Sequence, residues 1–251
     1  MTAGYTGPLV VVGGWGVRSD MLSDLYDLWP GEVIPVSLDD ELMTGCDSVS
    51  GVADELLGRF PMPAVWLGWS LGSQVAMAAA ARRTGAVTAV ITVGGFPRFT
   101  ETIGWPSGMP QGEFEAFAKG VIRDPDRYWT HFLLLMINGD WRERLARKRL
   151  RFWLEQGPPV SSANLVKGLG WLRQEDHRSL WGNLGVPALH LMGEKDVVVR
   201  PWSEWSGRSM QSRAGVIPGM AHWPTGEAAS DCHQAMAAFL AGAREVDQWT
   251  S

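Results

Sequence analysis

The sequence predicts an α/β protein: a mostly parallel sheet with helices on both faces and a helical segment inserted late in the chain. Three observations predict it. Short apolar runs alternate with helical patterns along most of the chain. These runs are continuous rather than alternating in hydrophobicity, as strands covered on both faces require. The rhythm then breaks between about residues 97 and 181, where helical patterns follow one another with no strand between them.

In chain order, Leu9-Val10-Val11-Val12 reads as a buried strand and Met21 to Trp29 as a helix. Val33-Ile34-Pro35-Val36 is a second strand, and its proline places it at an edge or an end, because proline donates nothing to a ladder. Val49 to Leu57 is helical, Ala64 to Leu67 a strand, Ser73 to Ala81 a helix and Val87 to Val93 a strand. The break holds four helical patterns: Glu113–Ile122, Pro125–Ile137, Trp141–Glu155 and Ser161–Leu172. Pro125 suits a first helical turn, where a missing amide hydrogen costs little. Strands return at Ala188–Met192 and Gly215–Ile217, each with a helical stretch expected after it. The resulting division is a core of 1–96 and 182–251 with a cap, or lid, of 97–181 at the C-terminal edge of the sheet, where open α/β sheets bind their ligands.

The chain has 251 residues and 45% hydrophobic residues, enough for one α/β core with an insertion. Its net charge of -5 argues against a nucleic-acid binder. Cys46 and Cys232 form no C-x-x-C, so two reduced thiols are expected rather than a disulfide framework or a zinc site. No basic, apolar leader opens the chain, and no apolar stretch approaches the ~20 residues that span a bilayer. A soluble, cytoplasmic, monomeric protein is expected, without membrane contact. Fourteen tryptophans are many for this length, and several are candidates to line an apolar pocket.

The chemistry centres on Gly68-Trp69-Ser70-Leu71-Gly72, a G-x-S-x-G between a strand and a helix. That context makes it a nucleophile elbow: the serine is held on a strained turn, and glycines flank it because side chains there would strike the neighbouring strand and helix. After a later strand comes Gly193-Glu194-Lys195-Asp196, and after the last one Gly219-Met220-Ala221-His222. The order Ser70, Asp196, His222 gives a nucleophile, an acid and a base at one sheet edge. Glu194 competes with Asp196 but sits earlier in its turn. His190 lies within a strand and reads as a core residue, while His177 and His233 read as exposed. Two amides are candidates for an oxyanion hole: Leu71 N–H after the nucleophile, and Trp15 N–H in the loop Gly13-Gly14-Trp15-Gly16, where glycines such as Gly14 let the backbone approach a substrate. This loop matches no nucleotide-binding fingerprint, and the site calls for neither metal nor cofactor. Arg142, Arg144, Arg147, Lys148, Arg149 and Arg151 crowd one predicted helix. Arg144, Lys148 and Arg151 share a face, and Leu145, Leu150, Trp153 and Leu154 can add apolar contacts. On its own such a run is either a solvated face or a surface that steers an acidic partner.

These motifs resemble the α/β-hydrolase family and, more narrowly, the pimeloyl-[acyl-carrier protein] methyl ester esterases of biotin synthesis. The resemblance rests on Gly-Trp-Ser-Leu-Gly, on Gly14-Trp15-Gly16, and in the cap on Phe132-Leu133-Leu134-Leu135 with Gly139 and on Gly168-Leu169-Gly170-Trp171-Leu172 with Asp176-His177-Arg178. It implies an α/β-hydrolase fold and ester hydrolysis, with Phe132 at the substrate. The implied substrate is a methyl ester on an acyl chain borne by acyl-carrier protein. It also implies docking of that acidic carrier on Arg127, Arg144 and Lys148, with Arg151 on the same face; a fourth basic position of the family falls on His131 here. Three features depart from the pattern. Gly13 stands where histidine is usual, Met220-Ala221-His222-Trp223-Pro224 replaces a Gly-His-Ala-Pro-Phe-like segment, and the first strand comes so early that the usual short N-terminal hairpin is not expected. Two other readings fit the same residues: an esterase of free small esters, and a non-catalytic ligand receptor on the same fold.

Overall fold

A computed structural model describes residues 6–82, 85–202 and 212–247. Six strands form one sheet: β1 (Leu9–Val12), β2 (Val33–Val36), β3 (Ala64–Trp69), β4 (Val87–Val93), β5 (Ala188–Gly193) and β6 (Ser212–Ile217). Their order is β2-β1-β3-β4-β5-β6, and every neighbouring pair is parallel. β1 and β3 are buried at every position, as their unbroken apolar runs require. Pro35 sits in β2 at the sheet edge, where no outer strand needs its missing donor.

Helices cover the sheet. A 3₁₀ turn, Ser19–Leu22, leads into α1 (Ser23–Tyr26); α2 (Asp40–Gly45), α3 (Val49–Arg59) and α4 (Leu71–Ala81) follow, and α10 (Glu227–Asp247) closes the described chain. The helix expected over Met21 to Trp29 is therefore shorter, and its start is tightened into the 3₁₀ turn. α2 had no sequence expectation; Asp39 caps it by accepting from Leu42 N at 2.9 Å. Residues 71–80 of α4 are all buried, and the small side chains Gly72, Ala76 and Ala78 to Ala80 let its backbone lie close on the sheet. The helix expected after β5 falls mostly on 203–211, outside the described residues.

Between β4 and β5 lie α5 (Gln111–Arg123), α6 (Pro125–Leu135), α7 (Glu143–Gln156), α8 (Ser162–Gln174) and α9 (Arg178–Gly182). Pro125 occupies the first turn of α6, capped by Asp124, whose carboxylate accepts from Arg127 N. Trp181 of α9 stacks on the β5 residue His190 at 4.4 Å. His190 is a core residue, as expected, and hydrogen-bonds Thr92 at 2.8 Å. His177 is not exposed as its charged neighbours suggested: it is buried and bonded through Nε2 to Glu175 at 3.0 Å. The hydrogen bond from His177 holds the Glu175 carboxyl below its ordinary value. His233 is half-buried. Both cysteines are buried free thiols. No described helix is long and apolar enough to cross a membrane.

Candidate active site

β3 runs to Trp69 and α4 begins at Leu71, so Ser70 alone makes the turn between them. It stands at φ 54°, ψ -122°, the only non-glycine at positive φ among the described residues. The flanking glycines have the reason the sequence suggested. A Cβ on Gly68 would lie 2.4 Å from Gly72 O, and one on Gly72 would lie 2.2 Å from Val12 O. As the first residue of α4, Leu71 has an N–H with no acceptor inside its helix.

Asp196 and His222 meet in a fully buried pair, Nδ1 to Oδ2 at 2.7 Å. The second carboxylate oxygen of Asp196 accepts from Val198 N at 2.8 Å and Val199 N at 2.7 Å, which fixes the acid from behind. With Nδ1 donating to Asp196, Nε2 is the ring's acceptor. It is buried and makes no hydrogen bond among the described residues, so the Ser70 hydroxyl is not bonded to it here. Substrate-free sites of this type commonly leave that contact long. The neighbourhood is nevertheless shared. Trp69 Nε1 donates to His222 O at 2.9 Å, and Gly94, at φ 54° beyond β4, comes so close that a Cβ would lie 3.1 Å from the imidazole. Glu194, the competing acid, is exposed and engaged elsewhere: its Oε2 accepts from Gly219 N at 2.8 Å, which lowers its pKa.

The loop after β1 lies beside the serine. A Cβ on Gly14 would sit 3.0 Å from Ser70 Cβ, so glycine is what lets this backbone approach. Trp15 N–H makes no hydrogen bond among the described residues. Its indole is locked instead: Nε1 donates to Leu165 O at 2.8 Å, and the ring packs edge-on against Phe132 at 5.0 Å. Gly168, one of the residues behind the family resemblance, makes room for it, since a Cβ there would lie 2.6 Å from Trp15 Cδ1. At Gly13 a Cβ would lie 3.3 Å from Ser19 N, so the 3₁₀ turn occupies the side that a histidine would need.

A cavity of about 220 Å³ opens at Ser70. Trp15, Phe99, Phe114, Phe117, Phe132, Leu135, Leu169 and Leu172 supply apolar walls, and Glu113 and His131 are polar residues of the lining. It is smaller than the ~300–1,000 Å³ of sites for drug-sized ligands. Among the described residues Trp15 is the only tryptophan in this lining; phenylalanines carry most of the aromatic wall. A larger hollow of about 530 Å³ between α7 and the start of α10 does not reach Ser70.

Sequence reasoning missed the residues that hold the histidine loop. Asp140, buried between α6 and α7, accepts from Arg142 N at 2.7 Å and from Ala221 N, and burial raises its pKa. Trp141 N donates to Gly219 O at 3.3 Å, and Trp223 N to Met136 O at 3.0 Å. No local pattern announces these long-range bonds. Of the basic residues, Arg127 is exposed on α6 and Arg144, Lys148 and Arg151 are exposed on α7. Arg142, Arg147 and Arg149 pair with Glu227, Glu143 and Asp24. Arg144, Lys148 and Arg151 pair with no described residue.

A parallel sheet with a lone serine at a strand–helix turn and a buried acid–histidine pair at the same edge defines a hydrolase of the nucleophile-elbow class. The family profile described as the alpha/beta hydrolase family matches residues 9–237, and the chain belongs to that family. Among curated relatives, the pimeloyl-[acyl-carrier protein] methyl ester esterase of Methylococcus capsulatus is 32% identical over 211 residues, 79% of this chain and 80% of that one. A protein of the same name from Edwardsiella ictaluri is 30% identical, covering 86% of each chain. Among solved structures, an esterase from Exiguobacterium antarcticum superposes with a TM-score of 0.77 at 19% identity, covering 95% of this chain and 93% of that one. A bromoperoxidase from Bacillus anthracis gives the same score and identity over 94% and 92%. At that identity they report the shared fold alone.

Proposed function

We propose that this chain is a serine carboxylesterase that hydrolyses the methyl ester of a pimeloyl chain carried on acyl-carrier protein, releasing methanol and a free carboxylate in biotin synthesis. The observation that carries the reading is the strained Ser70 beside a short apolar cavity, with the buried Asp196–His222 pair at the same sheet edge. The names of the relatives support the choice of ester.

In this reading Ser70 attacks the ester carbonyl while His222 takes its proton, and Asp196 stabilises the imidazolium. Leu71 N–H and Trp15 N–H receive the oxyanion, with Gly14 giving it room. Loss of one such donor costs roughly 100-fold or more in rate. His222 then protonates the leaving methoxide, and water, activated by the same imidazole, cleaves the acyl-enzyme. The acyl chain lies along Phe132 under residues 97–181, which act as a cap on a core of 1–96 and 182–251. The carrier docks on Arg127, Arg144, Lys148 and Arg151, and its position sets which carbonyl reaches Ser70. The enzyme works as a cytoplasmic monomer that engages neither nucleic acid nor membrane.

Genetic complementation tests this. A cell lacking its own pimeloyl-ester esterase should grow without biotin when it makes this chain, and should not when it makes the Ser70→Ala variant at equal soluble level. Failure of the intact, folded chain overturns the biotin assignment; equal rescue by the alanine variant overturns the nucleophile.

A further inference from the structure

The cavity at Ser70 is lined unevenly in charge. Among the described residues its largely apolar wall holds one carboxylate, Glu113, and one imidazole, His131, with neither lysine nor arginine. Glu113 sits in the first turn of α5, a place that suits an acid on any surface helix. Its neighbours set it apart. Two residues on, Glu115 is outside the cavity lining and pairs with Arg173 at 2.9 Å. Glu113 forms no ion pair or side-chain hydrogen bond among the described residues, and it lines the cavity together with Phe114 and Phe117 of the same helix. A second hollow of about 20 Å³ shares Met109, Glu113, Val197 and Val198 with that cavity and adds Ser107 and Arg200. It has room for about one water molecule. Val198 N–H is one of the donors that hold Asp196, so the shared wall lies on the side of the catalytic acid. Glu113 is exposed, and it stands where the acyl cavity meets this smaller, more polar hollow. Arg200 lines the hollow but not the cavity, and it forms no ion pair with Glu113.

We propose that Glu113 is a specificity-determining residue that admits uncharged acyl chains to the Ser70 cavity and repels those bearing a carboxylate. The proposal rests on the reading of Ser70 as an esterase nucleophile and adds a rule for which esters it takes. The ester that Ser70 attacks is neutral. The acid released when water cleaves the acyl-enzyme gives up its proton and becomes an anion. Inside the cavity that anion meets a like charge and no lysine or arginine, among apolar walls that weaken the screening by solvent. A neutral ester meets no such repulsion. Two consequences follow from the one charge. The product is pushed out once it forms, and a free half-ester, with a carboxylate at the far end of its chain, is a poor substrate. A chain whose far end is joined through an uncharged bond escapes that penalty. Specificity of this kind works by repulsion of the wrong ligand rather than by a new contact with the right one.

The test compares hydrolysis of neutral dimethyl pimelate with that of monomethyl pimelate, which carries a free carboxylate, by the intact chain and by Glu113→Gln and Glu113→Asp. The intact chain should favour the diester, and Glu113→Gln should lose about fivefold of that preference through a lower KM for the half-ester. Inhibition by heptanoate, a stand-in for the product carboxylate, should tighten by about the same factor. A gain on an anionic substrate is not something a damaged fold produces, and Glu113→Asp, which keeps the charge, should keep the preference. The unmodified chain gives a second reading: because Glu113 is exposed, the preference should shrink between low salt and about 0.5 M salt. A preference that is the same in the intact chain and in Glu113→Gln, or that does not respond to salt, overturns the proposal. The esterase reading fails separately. Heptanoate binding that tightens in Glu113→Gln by calorimetry, with neither ester hydrolysed, overturns the esterase and leaves the charge selection standing. Hydrolysis of both esters, with no shift in preference or in heptanoate binding, does the reverse.

Discussion

Ser70 occupies a backbone conformation that costs an L-residue of order 1–3 kcal/mol, so its surroundings must impose it. Val93 O accepts from Ser70 N at 3.0 Å, Ser70 O accepts from Ser73 N at 2.9 Å, and Gly68 and Gly72 admit backbone contacts closed to any side chain. The histidines divide in the same local way. His222 is buried against Asp196, whereas His190 lies against Thr92 and Trp181, and burial pushes its pKa from 6.5 down to about 3. The sign follows from proton binding. Below about pH 6.5 the unfolded chain takes up a proton at His190, while the folded chain refuses it until about pH 3. Stability is therefore untouched by this group above 6.5 and falls as pH drops toward 3, by about 2 kcal/mol at about pH 5. Urea unfolding at about pH 7 and pH 5 checks this: His190→Gln should lose about 2 kcal/mol less between the two than the parent chain, and equal losses would refute it.

Among the elements, the histidine loop depends on two neighbours at once. From the acid side, Glu194 accepts from Gly219 N at 2.8 Å, and Lys195 N donates to Met220 O at 2.8 Å. From the helical insertion, Met136 O, Asp140 and Trp141 N hold Trp223, Ala221 and Gly219. Asp140→Ala frees Ala221 N one residue from His222. Small misplacements of a base cost up to about 100-fold, so kcat on a short ester should fall about tenfold with KM within about twofold. Steady-state kinetics reads this directly, and a raised KM at constant kcat would contradict it. Much of this frame is legible in sequence. β1, β3 and β4 announce themselves as unbroken apolar runs, Pro35 marks an edge, and Ser70, Asp196 and His222 each follow a strand. What is not legible is short or non-local. α2 has six residues, too few for a periodicity, though Asp39 before Asp40 and Glu41 carries a capping signal. His177 is flanked by Asp176 and Arg178, and only the fold buries it. The ring of α7 residues looks uniformly amphipathic until Leu150 turns inward and Leu145 and Phe152 outward.

For the whole molecule, the insertion is fastened to the core around the site. Trp129 Nε1 donates to Gly16 O at 2.6 Å, Trp15 Nε1 to Leu165 O at 2.8 Å and Arg18 Nη1 to Gly157 O at 2.9 Å. The loop bearing Trp15 is thus positioned by the same helices that wall the 220 Å³ cavity, so that on the proposed function the depth of the acyl site is tied to the place of the oxyanion amides. The α7 cations that pair with no described residue belong to this scale too, because their effect is a local positive field on a net-acidic chain. On the proposed function, these features make the carrier, rather than the acyl chain alone, the source of specificity. The most direct measurement is methanol release from carrier-bound pimeloyl methyl ester against free dimethyl pimelate, with the intact chain and with Arg144→Glu/Lys148→Glu. The proposed function requires kcat/KM at least about tenfold higher for the carrier-bound ester at low salt, with that advantage lost in the double variant and the free ester unaffected. Equal rates on both esters, unchanged by the charge reversal, would contradict it.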